Sequence, residues 1–216
     1  MRTGSPSTAD PAARPPPIPE SVLSSIETHL REREKRREDL YQQARRLRRQ
    51  SQATVARLHA SGAAREELAA VRRTLADLAE TVRREGRADE PVTLDAFQEA
   101  VEACLLGAIV ERAPLPGPAD LGVDPEPYLL GLGDVVGEVR RLLLDRLGRE
   151  DLPAAELHLA LMERLTEALL RFDTSRAIVQ LKPKQDQARI LLERTRGEVV
   201  MARLLVRARP PGAGGP

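Results

Sequence analysis

The sequence has little with which to cross-link, stack or anchor itself. A single cysteine, Cys104, permits no disulfide within the chain, and a reducing setting is the simplest reading. Two tyrosines, two phenylalanines and no tryptophan argue against base stacking on aromatic platforms as the binding mode. No apolar run approaches the roughly 18 residues of a membrane span, and the N-terminus lacks the apolar core of a secretion signal. A soluble, cytoplasmic protein with no membrane partner is the expectation. Lysine is scarce too: Lys35, Lys182 and Lys184 are the only three among 34 basic residues. A formal net charge of +1 argues against a uniformly basic nucleic-acid coat and leaves room for a local basic patch.

What is present is helical. Residues 1–19 hold six prolines among small and polar residues, and "RPPGAGGP" closes the chain, so disordered tails are expected at 1–19 and 208–216 around an all-helical domain at 20–207. The apolar stripe Leu23, Ile26, Leu30, Leu40, Ala44, Leu47, Val55 and Leu58 predicts a first helix from about Glu20 to Ala60, long enough to need more than one neighbour. A second amphipathic helix is bounded by Gly62 and Gly86, and a third opens near Thr93, a plausible N-cap. Beyond a Pro-rich loop come helices at about Tyr128–Leu147 and Pro153–Phe172. A last segment at 174–207 should break at Lys182–Pro183. The fold class is an all-α bundle of six or seven helices.

Two of these helices carry acids where acids are costly. From Ala100 to Val110 the third helix is apolar all round except for Glu102, with Glu99 three residues earlier on the same face. Asp134 and Glu138 stand four apart, hence on one face, in the otherwise apolar stretch from Tyr128 to Val139. A carboxylate held away from water needs a positive partner, and adjacent like charges raise that need. If the two helices pack as neighbours, the four carboxylates converge into an all-oxygen site suited to Mg²⁺ or Mn²⁺. Gly133 and Gly137 each precede an acid of the second pair, as if another backbone came close there. The plainer alternative pairs Glu138 with Arg141 or an arginine of another helix. Three histidines, His29, His59 and His158, show no ligand spacing and read as surface or boundary residues, and Cys104 reads as core.

Residues 31–49 contain nine basic and four acidic side chains. Arg36, Arg37, Arg45, Arg46, Arg48 and Arg49 are the candidates for following a phosphate backbone. Over 31–39 a solvated helix laced with Arg–Glu pairs is the slightly better reading of the charges. "RRLRR" at 45–49 has no acid nearby and is the better candidate.

"PYLLGLGDVVGEVRR" (127–141), "FQEAVEA" (97–103) and the basic first helix "REDLYQQARRLRRQSQATVARLH" (37–59) together resemble the translin family, and more narrowly its catalytic branch, that of translin-associated factor X. The resemblance implies a seven-helix all-α bundle that assembles into hollow barrel-shaped octamers, either of one subunit or mixed with a second translin-like subunit. It also implies a Mg²⁺-dependent endoribonuclease acting on single-stranded RNA, with its acids at Glu99, Glu102, Asp134 and Glu138. Two rival readings stay open. One is an RNA- or single-stranded-DNA-binding oligomer that does not cleave. The other is an all-α nucleotide pyrophosphohydrolase, whose E-x-x-E is followed by E-x-x-D where this chain has D-x-x-x-E.

Overall fold

In the computed structural model the described residues are 18–85, 91–175 and 178–208. Most of the expected tails, and Gly86, lie outside them. Among the described residues seven helices and no strand are found: α1 Glu20–Ser61, α2 Arg65–Glu85, α3 Pro91–Val110, α4 Pro118–Leu121, α5 Pro125–Gly148, α6 Leu152–Leu170 and α7 Leu181–Ala208. The all-α expectation holds, and α4 is a single turn inside the Pro-rich loop.

Internal contacts divide the chain into two units, residues 1–39 and 40–216. In the first unit, the described helical stretch is exposed throughout, Leu23, Ile26 and Leu30 included. Its charges pair along the helix, Arg31 with Glu27 at 3.2 Å and Arg36 with Glu32 at 3.7 Å.

In the second unit, α1 from Leu40 onward buries Leu40, Ala44, Leu47 and Leu58 at helical spacing. α5 is the central element, packed on α3, α6 and α7, while α2 covers α3. The shared core includes Val71, Leu75 and Leu78 of α2, Val101 and Leu105 of α3, Val135, Val136 and Val139 of α5, and Met162 and Leu169 of α6. α3 is buried nearly all round, as its composition demands, and Cys104 is a core residue at 1% exposure. Burial pushes its thiol up.

Three helix starts differ from the sequence expectation, and proline explains each. α3 begins at Pro91 and α5 at Pro125, so Thr93 is a buried interior residue, not a cap. Proline suits a first turn because its missing N–H has no intrahelical acceptor there. For the same reason Pro183 does not break a helix: it lies in the first turn of α7, which starts at Leu181. α6 opens on Asp151, whose carboxylate accepts from the Ala154 N–H at 3.2 Å.

Two further bonds fix how α7 meets its neighbours. Buried Gln185 donates to the Leu169 and Phe172 carbonyls at 3.0 and 2.8 Å, filling acceptors at the end of α6. Arg140 of α5 grips both carboxylate oxygens of Glu198 at 2.7 and 2.8 Å and donates to the Thr195 hydroxyl at 3.0 Å.

Candidate functional site

The crossing of α3 and α5 places the acids. A Cβ on Gly131 would sit 2.7 Å from the Gln98 carbonyl oxygen and 2.8 Å from Val101 Cγ1, so only glycine allows this approach. The close backbone contact expected at Gly133 and Gly137 is therefore at Gly131. Gly133 instead makes room for the stem of Lys184, whose Cβ would lie 2.9 Å from an added methyl, and Gly137 meets only Leu191 at an ordinary 3.9 Å.

Three of the four acids are held by side chains from other helices. Asp134 accepts from Gln98 Nε2 at 2.6 Å on one oxygen and from the Lys184 ammonium on the other. Glu138 bonds the ring of His59, whose side chain is only 8% exposed. Glu99 accepts from Gln52 at 3.0 Å and stands 3.5 Å from Arg48 Nε. Glu102 has no hydrogen bond or ion pair with any described residue. Its carboxyl is pushed up to about 8, first by burial and then by the charges of Asp134, Glu138 and Glu99, against a smaller pull from Lys184.

So the four acids share one electrostatic neighbourhood, and the positive partners are the protein's own. His59 is a boundary residue, as expected, but its ring also partners Glu138, which the sequence did not suggest. Arg141 is not the partner of Glu138. Among the described residues, no group of three or more His, Cys, Asp or Glu side chains is arranged to hold a metal ion. The donor chemistry nonetheless suits one: the oxygens are hard, and Glu102 is a crowded carboxyl with no direct ion-pair partner among the described residues. A hollow of about 230 Å³ bounded by Glu99, Glu102, Glu138, Gln52 and Arg141 opens over this face. A larger cleft of about 770 Å³ is lined by Gln98, Lys184, Leu94, Leu130 and Glu126 among others.

The basic candidates separate into two groups. Arg36 and Arg37 belong to the 1–39 unit, and both have partners. Arg45, Arg46 and Arg49 are exposed and make no ion pair with a described residue, while Arg48 reaches the acid face through Glu99. Sequence reasoning missed His59, Lys184, Gln98 and Gln52. Only Lys184 carried a signal, as one of three lysines in an arginine-rich chain.

No protein-family profile matches the sequence. The solved structure of AfC3PO is 31% identical, with a TM-score of 0.76 over 85% of this chain and 97% of that one. The chain belongs to the C3PO/translin family. A second family structure, AfC3PO in complex with duplex RNA, matches at 29% identity and a TM-score of 0.69 over 87% and 99% of the two chains. Apo-NeC3PO shares the fold at 18% identity, TM-score 0.76, over 87% and 100%. Among curated proteins, an uncharacterised protein of Methanocaldococcus jannaschii is 38% identical over 104 residues, a match spanning 48% of this chain and 47% of that protein. No helix of the described residues is long and apolar enough to cross a membrane.

Proposed function

We propose that this family member is an endoribonuclease that depends on Mg²⁺ or Mn²⁺ and cleaves single-stranded RNA within a barrel-like oligomer, of its own subunits or mixed with a second translin-like subunit. The observation that carries the reading is the crowding of Glu99, Asp134 and Glu138 around Glu102, which has no hydrogen-bond or ion-pair partner among the described residues. Structural carboxylates are ordinarily each satisfied; one left bare among three others is an arrangement that invites a cation. Support for RNA as substrate comes from the duplex-RNA complex of AfC3PO and from the exposed Arg45, Arg46 and Arg49, which pair with no described residue.

Glu99, Glu102, Asp134 and Glu138 would hold the ion. Once bound, such an ion supplies positive charge for the scissile phosphate and lowers the pKa of a coordinated water. The remaining work falls to the chain itself. Gln98 fixes one oxygen of Asp134, and His59 and Gln52 orient Glu138 and Glu99, so the carboxylates are presented in set directions. Without a counter-ion Glu102 keeps its proton near neutral pH, and an ion held there would displace that proton. Arg45, Arg46 and Arg49 draw the RNA backbone toward this end of α1, and Arg48 joins their face to Glu99.

One observation favours a second reading. The acids have ready-made partners in Lys184, His59 and Arg48, as they would in an oligomer that binds RNA and cleaves nothing. Labelled single-stranded and duplex RNA incubated with Mg²⁺ or with EDTA separates the two. Cleavage that EDTA abolishes supports the nuclease. Retention of intact RNA, indifferent to EDTA, contradicts it.

A further inference from the structure

Lys184 reaches the acid face from α7, and the fold goes to some length to put it there. Gln185, next in sequence, is locked onto the carbonyls ending α6, which fixes the first turn of α7. The opposing residue on α5 is Gly133, and a methyl group there would strike the Cβ and Cγ of Lys184 at 2.9 and 3.2 Å. A lysine stem thus lies in a groove that only glycine leaves open, with its ammonium on Asp134 Oδ1. The residue type is informative in a chain where 31 of 34 basic side chains are arginine. A guanidinium is a broad planar fork, whereas an ammonium is a compact point charge that takes the space of a small cation.

We propose that Lys184 is the site's resident cation: its ammonium occupies the positive position beside Asp134 and is displaced when a divalent cation binds, so that Lys184 sets the site's metal affinity. The inference rests on the nuclease reading, because it takes Asp134 as a metal ligand. The logic is competition. Two positive charges at one carboxylate repel, so the ion must dislodge Lys184 from Asp134, and the lost contact weakens its binding. In exchange, the empty site is spared a further uncompensated carboxylate beside Glu102. Lys184 is accordingly a positioning residue.

Lys184→Met and Lys184→Gln remove the charge and keep much of the stem; two variants guard against a folding defect in either. Titration with Mn²⁺ alone, followed calorimetrically, reads the affinity, and thermal unfolding in EDTA and at saturating Mn²⁺ reads stability. The expected result is Mn²⁺ binding about tenfold tighter than wild type, with an unfolding deficit in EDTA that disappears when Mn²⁺ saturates. A lysine that merely packs would lower stability in both conditions and leave the affinity alone. Equal Mn²⁺ affinity in wild type and both variants, with RNA cleavage intact in the wild type, overturns the role of Lys184 and spares the nuclease. Absence of Mn²⁺ binding in all three proteins, together with absence of cleavage, overturns both.

Discussion

The acid face of α3 and α5 and the arginine face of α1 meet at the Arg48–Glu99 pair, yet they are built on opposite principles. The acids are partly buried, each at a set position, and all but Glu102 are tied to a residue of another helix. Arg45, Arg46 and Arg49 stand exposed and make no ion pair with a described residue. A buried charge is held in place by its partners, and removing it leaves those partners uncompensated. An exposed arginine is free to follow whatever anion comes near, and its loss costs only attraction. The first arrangement suits chemistry at a point, the second affinity along a line.

Breaking the acid face should have the largest effect. Alanine at any one of Glu99, Glu102, Asp134 or Glu138 is expected to lower RNA cleavage by about 10²–10³-fold or more, the scale seen when preorganised electrostatic stabilisation is lost. Measured cleavage rates check this, and wild-type rates in two or more of the variants would dissolve the site. Breaking the arginine face should cost less and in a different quantity. The triple change Arg45→Ala, Arg46→Ala, Arg49→Ala is expected to weaken RNA binding about tenfold and to flatten the slope of log affinity against log salt by about 2, near 0.7 for each phosphate contact of a single strand. Fluorescence anisotropy across a salt series reads both.

Two smaller predictions concern how the acid face is held. Gly131→Ala drives a methyl group to within 2.7 Å of the Gln98 backbone. The overpacking should destabilise by about 1–2 kcal/mol in urea unfolding, helix propensity offsetting part of the strain. Cleavage should fall further than stability, because α3 and α5 shift together with their acids. For Glu102, the folded-state pKa of about 8 lies above the ordinary 4.5, so between those values the folded chain holds a proton that the unfolded chain has released. Stability therefore falls as pH rises through that window and levels off above it. Glu102→Gln removes this slope, and the variant should gain on the wild type between about pH 5 and pH 8. Parallel pH–stability curves for the two proteins would contradict the burial of Glu102 among Glu99, Asp134 and Glu138.

The sequence showed the ingredients of this contrast better than their connections. Helical periodicity located α1, α2, α3, α5 and α6 within a few residues, because burial on one face forces that spacing, whereas the last helix starts at Leu181, seven residues after its expected start. The acids stood out because a charge in an apolar run has no local excuse. His59 and Lys184 were a different matter. His59 lies 79 positions from Glu138 and Lys184 lies 50 from Asp134, and such pairs form only once helices cross at set angles. Glycine spacing suggested a close approach on α5 but picked out Gly133 and Gly137, whereas the crossing point falls on Gly131, two residues before the first of them. The left-out information is tertiary: which face of α5 meets α3, and which meets α7.

The most direct test compares the two faces under one condition. Single-turnover cleavage of labelled single-stranded RNA, with Mg²⁺ and with enough protein to bind all the RNA, would be followed for wild type, Asp134→Ala and the triple arginine variant. The account predicts that Asp134→Ala holds the RNA and leaves it intact, while the triple variant, once saturated, cleaves at close to the wild-type rate. Cleavage by Asp134→Ala at the wild-type rate would contradict it.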